Sequence, residues 1–380
     1  MKFDRRFRAC LLNLIAVVAI YFTFTLLINS GGLNRYYRNI LFSICINIIM
    51  AVSLNLTTGM LGELALGHAG FMAVGAFASA VITKSWAVST AISFPVALIV
   101  GGLIAAVFGL VIGIPALRLK GDYLAIITLG FGEIIRVIIT NLPITGAAKG
   151  LSGIPKLTNF NYVYIIMVLI IAAMFTLGRS RHGRAIISIR ENAIAAESTG
   201  IAVFRYKVFA FTLAAFFAGV AGALYAHQQG SISAATFDYN KSIDYLVMVV
   251  LGGMGSINGS IIAAALITFL NLKLATVLTG NLAVLQNMVY ALVLILIVIY
   301  NNAPALKGFR EKYNLRRLID RLFRHRKDPA FVREDEASWE RIPTKIEMDE
   351  LLSVDLRPGE YPEGEIPEKP DKKTDGKESR

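Results

Sequence analysis

The sequence predicts an all-α, polytopic helical membrane protein. Hydrophobic residues make up 55% of its 380 residues, and the mean hydropathy is +0.60. Charged residues make up only 17%, whereas a soluble domain carries about 25%. Between Ala9 and Asn302 there are only seven acidic residues. Long apolar stretches that are poor in charge are typical of membrane-spanning helices.

About ten hydrophobic segments can be drawn along the chain. The eighth has about eleven residues, which is too short to cross a bilayer as a helix, so we expect a half-helix followed by a bend. Most basic residues before the tail lie in four segments outside the predicted spans, 1–8, 115–121, 179–207 and 303–327. The positive-inside rule then places both termini in the cytoplasm. The segments are 9–29, 38–57, 62–83, 89–113, 122–141, 160–178, 205–228, 243–253, 259–277 and 283–300.

Composition divides the chain into three parts. Residues 1–302 form the predicted transmembrane domain. Residues 303–327 are basic with interleaved apolar side chains, which predicts an amphipathic segment on anionic membrane lipid. Residues 328–380 hold 16 acids and nine bases, and this dense mixed charge predicts a disordered tail. Because the basic residues flank predicted membrane segments, no nucleic-acid partner is expected.

The first interruption of an apolar stretch is a glycine-rich segment at residues 59–70. It contains Gly59, Gly62, Glu63, Gly67 and His68. An ionisable side chain inside a membrane is expensive and is by default a candidate functional residue. Three roles stay open for Glu63: hydrogen bonding to a polar substrate, capping of freed backbone N–H groups, which is favoured, and proton coupling. His68 is expected to form a hydrogen bond at a helix start rather than to bind a ligand.

A second glycine-rich segment, residues 251–260, interrupts another apolar stretch. It contains Gly252, Gly253, Gly255, Ser256 and Asn258. Its polar side chains are expected mainly to satisfy backbone groups. Non-helical backbone survives at membrane depth only inside protein or beside a water-filled path. A pair of interrupted hydrophobic segments therefore predicts two broken helices and a transport site between them.

The only long polar loop between the predicted segments is 179–204. Ala185, Ile189 and Ala193 recur every four residues, and Gly200 is a plausible helix stop. The pattern predicts a short amphipathic helix on the cytoplasmic side.

Two further patterns concern helix packing. Glu133 and Arg136 lie three residues apart and are expected to form a structural ion pair. Small residues recur every four positions from Ala214 to Ala226, which favours close packing inside the bundle over a homodimer contact.

Motifs of catalysis are lacking: the sequence contains no P-loop, nucleophile elbow, His-Glu-x-x-His or Cys-x-x-Cys. No enzyme activity, metal or cofactor is therefore expected, and any energy source other than an ion gradient must lie on a partner.

Several blocks together resemble the LivM-type inner-membrane permeases of branched-chain amino acid ABC importers. The blocks are residues 54–59, 67–71, 118–136, 150–155, 183–201 and 249–256. The resemblance implies a bacterial inner-membrane permease that pairs with a homologous partner permease. It also implies two cytoplasmic ABC ATPase subunits and a periplasmic substrate-binding protein as partners.

The cytoplasmic loop resembles the coupling helix of that family, which docks on the ATPase. The matching residues are Arg190, Glu191, Ala195, Ala196, Glu197 and Gly200. One departure is Glu63, because the family commonly has Gln at this position; the charge could alter substrate preference or be neutralised by burial. Two alternatives stay open: a permease for urea or short amides, and an ion-coupled secondary transporter that uses Glu63 and His68.

Overall fold

The computed structural model describes residues 34–85, 90–119 and 121–277, together with 19, 21–28, 30, 288, 291, 292 and 295. These residues belong to one compact unit, Met1–Ala303. The predictions for 303–327 and 328–380 lie outside the described residues. So do most of the predicted segments 9–29 and 283–300, although residues 21–28 are helical.

The described residues are mostly helical. Their helices are α1 Arg35–Asn55, α2 His68–Ser85, α3 Thr90–Ala116, α4 Asp122–Asn141, α5 Phe160–Arg179, α6 Arg181–Glu191, α7 Ala193–Ser198, α8 Val203–Gln229, α9 Tyr239–Gly252 and α10 Ile257–Val277. Short 3₁₀ turns occupy Pro143–Thr145, Ala147–Lys149 and Ala234–Phe237. Two short strands, β1 Leu151–Ser152 and β2 Ser231–Ile232, pair antiparallel, with Leu151 opposite Ile232.

Short polar side chains start several of these helices. The Asn34 side chain accepts from the first amide of α1, Ser180 accepts from Gly183 N in α6, and Asp238 accepts from Lys241 N in α9. Each acceptor satisfies an amide that has no carbonyl partner in the first helical turn.

Six helical stretches in the described part of the chain are long and apolar enough to cross a membrane. They are Arg35–Met60, Ile92–Ala116, Asp122–Asn141, Phe160–Arg179, Val203–Gln229 and Ile257–Thr276. Large apolar side chains project outward from them, such as Leu169 and Ile262, which are 62% and 68% exposed. Such surfaces suit contact with lipid, and the chain is a multi-pass membrane protein.

Helix α8 lies at the centre of the bundle and packs on α1, α2 and α3. A Cβ at Gly75 would lie 2.1 Å from the Gly219 carbonyl oxygen, and a Cβ at Gly222 would lie 2.0 Å from that of Met72. Ala214 and Ala218 of the same small-residue pattern are buried. The predicted packing inside the bundle is therefore confirmed.

Candidate functional site

The first glycine-rich segment begins within a π-helical turn at the C-terminal end of α1. Residues Leu56–Met60 form a π-helical turn, residues 61–67 are not helical, and α2 starts at His68. Gly62 has a φ of +81°, in the left-handed region that favours glycine. Glu63 N donates to the Thr57 carbonyl at 3.0 Å, so the turn satisfies part of the backbone that leaves the helix.

The second glycine-rich segment separates α9 from α10. Gly253 and Gly255 both have positive φ, of 90° and 84°. Gly259 N donates to the Ser256 hydroxyl at 3.2 Å, which agrees with the predicted role of this side chain. Asn258 is exposed, and its side chain has no hydrogen bond within the described part of the chain.

The two glycine-rich segments touch one another. Gly255 N donates to the Asn55 side-chain oxygen at 2.8 Å, and Asn55 is fully buried. A Cβ at Gly59 would lie 1.7 Å from that oxygen and 2.3 Å from Gly255 N. Only glycine at position 59 allows this contact. Asn55 was not predicted as a site residue, although an amide inside an apolar stretch, next to the interruption, is a usable signal in the sequence.

Arg190, on the cytoplasmic loop, reaches both glycine-rich segments. Its Nη1 donates to the Gly59 carbonyl at 2.8 Å. A Cβ at Gly62 would lie 2.7 Å from the Arg190 Cγ, and one at Gly255 would lie 2.8 Å from Nη1. The guanidinium also forms an ion pair with Glu191 at 3.3 Å. One side chain thus joins the loop to both interruptions.

The predicted single helix of this loop is wrong, because the loop forms two helices, α6 and α7. They are separated at Asn192, whose extended backbone breaks the helix. Its Oδ1 accepts from Ile194 N at 3.0 Å and Ala195 N at 3.1 Å, which starts the second helix.

The two short helices expose much of their surface. Buried side chains such as Ile186 and Ile189 hold α6 on the bundle, and Ala196 does the same for α7. Ile194 is 81% exposed. Of the predicted docking motif, all residues but Ala196 are exposed: Arg190, Glu191, Ala195, Glu197 and Gly200.

Glu63 has an ionic partner that the sequence did not predict. Its Oε1 pairs with Lys207 Nζ, and the two side chains are only 16% and 11% exposed. Lys207 is the fifth residue of α8. A long-range partner of this kind has no local sequence pattern.

His68 makes an internal hydrogen bond. Its Nε2 lies 2.8 Å from the Ser53 hydroxyl, and the residue is 2% exposed. The next amide, Ala69 N, donates to the Ser242 hydroxyl at 3.0 Å. His68 therefore sits as a hydrogen-bonded residue at the start of α2, as the favoured interpretation expected.

Helix α4 lies against the first glycine-rich segment. Leu66 N donates to the Thr128 hydroxyl at 3.0 Å, and a Cβ at Gly67 would lie 2.2 Å from the Thr128 carbonyl oxygen. A Cβ at Gly70 would lie 2.9 Å from the Gly132 Cα. The close approach of backbones fixes the segment between α4, α1 and α6.

Comparison with known proteins defines the class of the chain. The family described as branched-chain amino acid transport system / permease component matches residues 36–298. The chain belongs to this family.

Individual relatives agree with this family assignment. The chain is 37% identical over 257 residues to the high-affinity branched-chain amino acid transport system permease protein LivM of Escherichia coli K12, covering 58% of this chain and 60% of the relative. The protein of the same name from Salmonella typhimurium is 35% identical over 291 residues, covering 67% and 66%. The ribose import permease protein RbsC of E. coli K12 is 31% identical over 146 residues, covering 37% and 44%.

The chain thus spans less than two thirds of the length of the curated relatives that it matches. No solved structure matches the chain significantly.

Proposed function

We propose that this chain is the non-catalytic transmembrane permease subunit of an ABC importer for branched-chain or related amino acids. The family match over residues 36–298 and the LivM relatives support this function. The chain would form the translocation pathway together with a homologous partner permease. Two cytoplasmic ABC ATPase subunits would supply the energy, and a periplasmic binding protein would deliver the substrate.

The observation that most supports this mechanism is that Arg190 connects the cytoplasmic loop to the glycine-rich segments. A coupling element must dock on the ATPase and also touch the moving part of the pathway. The exposed surface of α6 and α7 provides the first contact, and the hydrogen bond from Arg190 to the Gly59 carbonyl provides the second. Closure of the ATPases on ATP would move α6 and α7, and Arg190 would pass that movement to both glycine-rich segments.

The two glycine-rich segments would line the pathway as interruptions of membrane helices. Their direct contact through Asn55 and Gly255 supports a shared role. The proposed pathway residues are Gly59, Gly62, Glu63, Gly67, His68, Gly252, Gly253, Gly255, Ser256 and Asn258.

The proposed topology is a bacterial inner-membrane protein with about ten membrane segments and both termini in the cytoplasm. Its support is the clustering of basic residues, which is a sequence argument. Residues 1–302 would form the transmembrane domain, 303–327 would bind lipid on the inner leaflet, and 328–380 would be a disordered tail.

The alternatives find less support. A secondary transporter would use Glu63 and His68 for ion coupling, but each already has an internal partner, Lys207 and Ser53 respectively. A urea or short-amide permease shares the general architecture, whereas the LivM relatives are named for branched-chain amino acids.

Affinity purification of the full chain from native membranes tests the proposal. We expect two P-loop ATPases and a second permease to co-purify. Recovery of the chain alone from gently solubilised membranes that still take up leucine would contradict it and would favour the secondary transporter.

A further inference from the structure

Helix α4 carries a polar stripe along one side. On a helical wheel four of its polar residues lie within about 60° of one another, whereas Thr128 and Asn141 lie on other sides. The four residues of the stripe are Asp122, Glu133, Arg136 and Thr140. The buried face of the same helix, which includes Leu124 and Ile135, points elsewhere. A charged stripe along a span that is otherwise mostly apolar indicates that this side does not face lipid alone.

The charged pair of the stripe lies at the middle of the span. α4 runs from Asp122 to Asn141, so the Cα of Glu133 is about 2 Å from the helix midpoint along the axis, at 1.5 Å per residue. Arg136 lies about 7 Å from the midpoint, and its guanidinium bends back to Glu133, with Nε 2.7 Å from Oε2. The pair is therefore at the depth where transport sites are found.

The pair has unused binding capacity. The side chains of Arg136 and Glu133 are 32% and 29% exposed. Within the part of the chain that the structure describes, Nη1 and Nη2 of Arg136 and Oε1 of Glu133 have no hydrogen-bonding partner. Exposure of such groups to hydrocarbon is costly, so a polar surface or ligand must cover them in the assembled transporter.

The position of the pair connects it to the moving parts of the pathway. Gly132, next to Glu133 in the chain, lies against the first glycine-rich segment. A Cβ at Gly132 would lie 3.2 Å from the Gly67 Cα, and one at Gly70 would lie 2.9 Å from the Gly132 Cα. A shift of that segment would therefore change what surrounds the charged pair.

We propose that Glu133 and Arg136 recognise the zwitterionic head of an amino acid as it passes through the pathway. The two free terminal nitrogens of Arg136 would donate a bidentate pair of hydrogen bonds to the α-carboxylate. The free oxygen of Glu133 would accept from the α-ammonium. The two opposite charges of the pair, side by side, match the two adjacent charges of the ligand. This inference rests on the proposed function and names a recognition point within it.

The test uses the complete transporter in proteoliposomes, with a binding protein loaded with radioactive leucine at saturating concentration. ATP-dependent leucine uptake by the unaltered complex tests the proposed function separately. The variants are E133Q, R136Q and the swapped double variant E133R/R136E, which keeps an ion pair but reverses its direction.

We expect E133Q to lower leucine uptake about tenfold, as expected for the loss of one charge-assisted hydrogen bond, and R136Q to lower it further, because two such bonds are lost. Stimulation of ATP hydrolysis by the loaded binding protein should change less than twofold. The swapped variant should assemble and hydrolyse ATP, yet remain about tenfold slower in uptake.

Two kinds of result would overturn the proposal. Recovery of uptake in the swapped variant would show that only the internal ion pair matters. Normal uptake in all variants would show that the pair does not recognise the substrate, and failure of all of them to assemble would assign the pair to a contact with a partner subunit.

Discussion

Replacement of Arg190 by alanine is the perturbation that most directly tests mechanical coupling in this protein. It removes the hydrogen bond to the Gly59 carbonyl and the side chain that fills the space beside Gly62 and Gly255. It leaves the buried residues of α6, Ile186 and Ile189, in place. The helix should therefore stay docked on the bundle while its link to the glycine-rich segments is lost.

The size of the effect follows from the bond that is lost. A hydrogen bond with a charged donor contributes about 1.5–3 kcal/mol, and the Arg190 side chain is 39% exposed, so we take the lower limit. A loss of about 1.5 kcal/mol between the two states of the pathway corresponds to about tenfold in an equilibrium constant. We expect leucine uptake per ATP hydrolysed to fall about tenfold, with ATP hydrolysis retained.

The assay compares uptake and ATP hydrolysis in proteoliposomes that contain the whole complex. Arg184→Ala is the matched control, because Arg184 lies on the same helix and, among the described residues, its side chain donates only to the nearby Arg179 carbonyl at 3.2 Å. Arg190→Lys, which keeps the charge but not the planar fork, should lie between alanine and the unaltered protein. An unchanged ratio of uptake to hydrolysis in Arg190→Ala would refute the coupling role.

Three further predictions concern the same site. Gly67→Ala should destabilise the purified complex by about 1–3 kcal/mol, since the added Cβ would overlap the backbone of α4. Gly130→Ala is the control, because a Cβ there would meet no atom within 4 Å. Equal melting temperatures of the two variants would count against the close approach. Glu63→Gln should lower thermal stability because Lys207 loses its ionic partner in a largely buried site. Adding Lys207→Gln to the same chain should recover part of that stability. If the double variant instead loses as much stability as the two single variants together, the residues do not form a direct pair. Glu191→Arg, at a side chain 68% exposed, should weaken ATPase binding in a pulldown without changing stability, and normal ATPase recovery would exclude this residue from the docking surface.

Elements defined by local patterns could be predicted from the sequence. The segment predicted at 122–141 matches Asp122–Asn141, and 160–178 matches Phe160–Arg179 within one residue, because charged or polar residues bound both apolar runs. The Glu133–Arg136 ion pair is also confirmed, because residues three apart meet on any helix.

Contacts between distant parts of the chain could not be predicted in the same way. The pairing of Glu63 with Lys207 and the hydrogen bond from Gly255 to Asn55 depend on how the helices assemble. The division of the cytoplasmic loop at Asn192 had a local signal, since asparagine is a preferred helix N-cap. The apolar spacing across it, from Ala185 to Ala193, favoured a continuous helix instead.

The central claim is that this chain works as the permease of an ATP-driven importer. The most direct measurement is uptake of radioactive leucine into proteoliposomes that contain the complex purified through this chain, with its binding protein outside and ATP available to the ATPases. We expect uptake that requires ATP, the binding protein and the ATPase subunits. Leucine uptake that continues without ATPases and collapses when the ion gradient is dissipated would contradict the claim.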